Sequence, residues 1–60
     1  MIAIVKRNFK TKGTRVVKGE QVWVLPVIGT DERLSVVEIV GKNFKMRTLE
    51  SIANQLTETI

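Results

Sequence analysis

The residues best able to do chemistry are cationic and gathered near one end of the chain. Lys6, Arg7, Lys10, Lys12, Arg15 and Lys18 fall before the first acid, Glu20, and the whole chain carries ten basic against six acidic residues. Further along, Lys45 and Arg47 alternate on one predicted strand face. Side chains of this type bind phosphates, because neutralising a polyanion releases its condensed counterions. The same asymmetry also suits an acidic protein surface, or simply a solvated loop kept soluble by lysine.

Catalytic chemistry has few candidates. There is no histidine and no cysteine among the 60 residues. The commonest general base, the commonest metal ligand, disulfides and thiolate metal sites are therefore missing. The carboxylates are Glu20, Asp31, Glu32, Glu38, Glu50 and Glu58, and none forms a recognisable acid–base pair. Asp31 and Glu32 are loop neighbours, and Glu38 sits among apolar strand residues, where an outward position paired with a lysine accounts for it. The glycines are scattered and build no phosphate-cradling loop. The expectation is a protein that is not an enzyme and uses no cofactor and no metal.

These side chains need a scaffold, and hydrophobic periodicity predicts a mainly β one in a single domain spanning residues 1–60. Ile2 to Phe9 reads as a first strand, with Ala3, Val5 and Phe9 on the face opposite Ile2 and Ile4. Lys10 to Lys18 reads as a loop or irregular hairpin turning at Gly13, and Gly19 closes it. Gln21 to Ile28 is a second strand, apolar on both faces and bulged or at an edge near Pro26. A polar loop over 29–33 leads to a third strand, Leu34 to Val40. Gly41-Lys42-Asn43 turns into a fourth strand, Phe44 to Arg47. The period then changes: Leu49, Ile52, Ala53, Leu56 and Ile60 fall at helical spacing behind Thr48, a candidate N-cap. A helix over Leu49–Leu56 is one reading, and a single helical turn followed by a strand over Leu56–Ile60 is the other. Closure into a barrel would hide sheet edges, with Val5, Val17, Val24, Leu25, Val37, Ile39, Phe44 and Met46 as the expected interior. Met1 to Val5 is too short an apolar run for a membrane span and is followed, not preceded, by Lys6 and Arg7, so neither signal peptide nor membrane segment is expected. A reducing cytoplasm suits a chain without cysteine.

The junction Lys18-Gly19-Glu20-Gln21-Val22-Trp23-Val24-Leu25, the turn Gly41-Lys42-Asn43 and the helical turn Thr48-Leu49-Glu50-Ser51-Ile52 together resemble the SH3-like small β-barrel. The resemblance covers most of the chain and is architectural. It implies four to five strands with a short C-terminal helix, an organisation frequent among bacterial, phage and mobile-element proteins. It does not imply polyproline binding, which needs an aromatic-lined groove: tyrosine is absent, Arg7 stands near where such a domain carries an aromatic, and Met46-Arg47-Thr48-Leu49 replaces its proline-containing segment. Small SH3-like subunits can assemble a catalytic pore, as in plasmid-borne dihydrofolate reductases, but no matching pore motif is present.

Two functions remain. The first is binding of DNA or RNA by a basic face of Lys6, Arg7, Lys10, Lys12, Arg15, Lys45 and Arg47. Trp23 can stack on a base or fill a core. The second is binding of a protein partner or a second copy through apolar strand residues in excess of one small interior: Trp23, Val27, Ile28, Val36 and Val40. The helical stripe of Leu49, Ile52, Leu56 and Ile60 covering those residues within one molecule is the alternative to that second function.

Overall fold

The computed structural model describes residues 1–27 and 35–60. It is mainly β with one short helix near its C-terminal end, as the periodicity predicts. The elements are β1 (Ile2–Val5), β2 (Phe9–Thr11), β3 (Thr14–Val16), β4 (Gln21–Pro26), β5 (Val36–Val40), β6 (Lys45–Leu49), α1 (Glu50–Leu56) and β7 (Thr57–Thr59). Five strands form one antiparallel sheet in the order β6-β5-β4-β1-β7, and β2 and β3 form a separate hairpin. The strands exceed the expected four to five because the long basic loop is itself a hairpin and the chain ends on a strand.

The sheet is not closed into a barrel: among the described residues β6 and β7 are its two edges. Other elements cover its apolar face instead. Ala3, Val5, Val22, Val37 and Ile39 from the sheet meet Val16 from the hairpin and Ala53 from α1 in one buried cluster, with Phe9, Val24, Phe44 and Met46 packed around it. Phe9 meets Phe44 edge to face, with ring centroids 6.0 Å apart. Of the expected interior, Val17 and Leu25 are instead exposed. Val17 lies beyond β3 in the turn, and Leu25 alternates with Val24 onto the other side of the sheet.

Local chemistry explains the turns. Lys12 and Gly13 both have positive φ, 48° and 81°, between the paired residues Thr11 and Thr14. That is the signature of a two-residue type I′ turn, whose twist suits a hairpin. Gly19 has φ 96°, and the Glu20 amide donates to the Val17 carbonyl at 3.2 Å. A positive φ at the third residue of a four-residue turn favours glycine. The Gly19 amide then donates to Val5, and the Val5 amide donates to Glu20, stitching the turn to β1. The chain meets Gly41 differently: a Cβ there would run into the Phe44 ring.

Pro26 is tolerated in β4 because of register. The Val24 amide donates to Met1 on the β1 side and the Val27 amide donates to Val36 on the β5 side. Amides alternate sides along a strand, so position 26 faces the β1 side, past the last rung between β1 and β4. At the other end of the sheet, Thr48 is not the N-cap. It pairs with Val37 inside β6, and Leu49, paired with Val36, takes the cap position without a side-chain bond. The first helical amide, Glu50, donates to the Ser35 carbonyl at 2.8 Å instead. Both readings of the C-terminal segment are partly met, since a seven-residue helix and a strand follow each other. Thr57 joins them: its hydroxyl donates to the Ala53 carbonyl at 2.8 Å from a buried position.

Candidate nucleic-acid interface

Three of the seven cationic candidates are brought together. Lys12, at the hairpin tip, and Lys45 and Arg47, on β6, line one shallow concavity with Thr11, Glu38 and Met46. The I′ turn presents Lys12, and the strand period puts Lys45 and Arg47 on the same face of β6. Arg47 is held by Glu38, its cross-strand partner, with Nε 3.5 Å from Oε2. The pair leaves the Arg47 side chain 69% exposed while Glu38 is only 21% exposed. Glu38 thus orients the guanidinium and the cationic end faces solvent, a geometry suited to a phosphate. The outward position is the one expected for Glu38, but its partner is Arg47 and not a lysine.

Lys10 and Arg15 lie elsewhere. They are directly opposite each other in the hairpin, and with Asn8 and Phe9 they border a separate shallow depression. Like charges placed directly across a ladder repel, and an anion between them would relieve that repulsion. Lys6 and Arg7 join neither group. The Lys6 amide donates to Leu56 at the junction of α1 with β7, which belongs to the edge opposite β6. Sequence proximity had gathered these residues into one basic face, whereas the hairpin and the sheet order distribute them over three places.

The apolar candidates share the outer face of the sheet. Trp23 is flanked by Ile2 on one side and Val40 on the other, and Val40 is followed by Lys45 on β6. On the far side of Ile2, Ile60 donates its amide to the Ile2 carbonyl. One row therefore crosses all five strands: Ile60, Ile2, Trp23, Val40, Lys45. The next row runs Leu25, Glu38, Arg47. Trp23 is 50% exposed in the middle strand, so it is a surface residue and not a core one. Val36 pairs with Leu49, and Val27 bonds to Val36 through its amide, each half-buried. Ile28 and Leu34 lie outside the described residues. The helical stripe does not cover this face. Ala53 turns into the core on the opposite side, and Ile52 and Leu49 are exposed.

The sequence pattern could not reveal Thr11 and Met46 as neighbours of the cations, because hairpin docking sets that contact. Alternation does put Trp23 on the face opposite Val22 and Val24, but which of the two faces is covered depends on where the hairpin and helix dock.

Among the described residues, no three His, Cys, Asp or Glu side chains gather as metal ligands, and no helix is long and apolar enough to cross a membrane. Comparison with known protein families, curated proteins and solved structures gives no match.

Proposed function

We propose that this chain is a small binding module on an SH3-like frame that acts by contacting nucleic acid and not by catalysis. The observation that carries the reading is the convergence of Lys12 with the sequence-distant pair Lys45 and Arg47 around one solvent-open concavity that Thr11 also lines. Three cations around such a site suit a phosphate backbone, and Glu38 pairs with one of them without closing it off. The order of strand, hairpin, three strands, helix and strand supports the SH3-like frame. The absence of cysteine supports a reducing, cytoplasmic setting.

The test is fluorescence anisotropy of labelled DNA and RNA across a salt series. Three phosphate contacts predict a slope of roughly −2 in log affinity against log salt for a single strand. Replacing Lys12, Lys45 and Arg47 together (Lys12→Asn, Lys45→Gln, Arg47→Gln) should remove most of the affinity and flatten that slope. Unchanged binding in the triple variant would refute the assigned site.

A second reading rests on a different observation. The apolar row of Ile60, Ile2, Trp23 and Val40 is wide enough to meet a protein partner or a second copy. It predicts a sedimentation mass above that of one chain, abolished by Val40→Glu in a protein that remains folded.

A further inference from the structure

We infer that the nucleic acid is single-stranded and that Trp23 is the platform on which one of its bases stacks. This rests on the nucleic-acid reading above and names its substrate class.

The inference comes from what lies beside the cations. Trp23 occupies the central strand of the five, half exposed, on the side of the sheet that neither the hairpin nor α1 covers. Its cross-strand neighbours Ile2 and Val40 carry no charge and present low β-branched surface around the indole. Two strand spacings away in the same row stands Lys45, about 10 Å across the sheet. Arg47 is one row over on the same strand. The face therefore has an aromatic centre and a cationic margin on one side only. A duplex hides its base faces inside the stack and offers phosphates on two ridges, so it has nothing to give an indole lying among aliphatic residues. A single strand exposes both parts. Its phosphates can follow Lys45 and Arg47 along β6 towards Lys12 at the hairpin tip while an unstacked base crosses Val40 to lie on Trp23, the combination single-strand binders use without reading sequence. Charge complementarity at the β6 margin selects this occupant over an apolar protein surface, which would have to bury Lys45 and Arg47 beside Trp23.

Trp23 is the sole tryptophan, so intrinsic fluorescence reports on this face without a label. The experiment titrates the intact protein with oligo-dT, oligo-U and a mixed-sequence duplex of the same length at low salt, following fluorescence alongside anisotropy. The expected result is quenching by the single strands, binding at least roughly five-fold weaker for the duplex, and a loss of five-fold or more in Trp23→Ala that Trp23→Phe partly restores. Comparing oligo-dT with oligo-U shows whether the strand is DNA or RNA, since the stacking chemistry is common to both. Duplex binding as tight as single-strand binding, with unchanged fluorescence, would overturn the inference and leave the basic site standing. Absence of binding to any of the three would overturn the nucleic-acid reading itself. A protein that sediments as a dimer with Trp23 shielded from acrylamide would assign the face to a second copy and overturn the inference as well.

Discussion

β4 and β5 carry large apolar residues on both faces, the outer one also holding Gln21 and Glu38, yet the two faces have opposite fates. Val22, Val37 and Ile39 are buried and Val24 packs against them, beneath the hairpin and the helix. Trp23, Leu25, Val36 and Val40 alternate with them and keep contact with solvent. For the large apolar residues, hydrophobicity alone therefore does not decide burial here. The elements that fold back onto one side decide it, and they leave the other side as an apolar field edged by Lys45 and Arg47. Among the described residues the inner face holds the fold and the outer face stays open to solvent.

Substitutions on the two faces should separate stability from binding. The largest effect belongs to the inner face. Ile39 is fully buried, and Ile39→Ala should cost about 2–5 kcal/mol. A core of this size rarely supplies more than about 3–5 kcal/mol, so urea denaturation should find the variant largely unfolded at room temperature. Gly41→Ala comes next. Its new Cβ must displace the Phe44 ring that packs on Phe9, at roughly 1–3 kcal/mol, read as a lowered denaturation midpoint. Trp23→Ala on the outer face should cost about 1–2 kcal/mol, because half of the side chain is already in water, while still weakening single-strand binding. A loss of stability there equal to that of Ile39→Ala would erase the distinction between the faces. The smallest effect is Lys12→Asn. Asparagine accepts the positive φ of an I′ turn, so the hairpin should be as stable or slightly more so. The salt slope of binding should fall by about 0.7, one phosphate contact.

The same two faces show how much could be read from the sequence. The two-residue period of Val22, Val24, Val37 and Ile39, and the Gly13 and Gly19 turns, identify the strands and the hairpin. The change of period after Thr48 identifies the helix. Closure of the sheet, the division of the cations and the covered side were not legible, because each depends on where a distant element docks. Phe9 and Val16 pull the hairpin onto the core and carry Lys12 towards β6, a contact no local pattern contains. The N-cap was missed for a related reason. Thr48 has suitable chemistry but is held in the β5–β6 ladder, and a backbone carbonyl from Ser35 serves the helix in its place.

Amide chemical-shift mapping of the labelled protein with an oligo-dT strand tests the central claim most directly. The account predicts that the shifts concentrate at Thr11–Gly13, Trp23, Val40 and Lys45–Arg47, with the indole N–H of Trp23 among the largest, while Val5, Val16 and Ala53 stay in place. Shifts gathered instead around Lys6, Arg7 and the α1–β7 junction, or none at all, would contradict it.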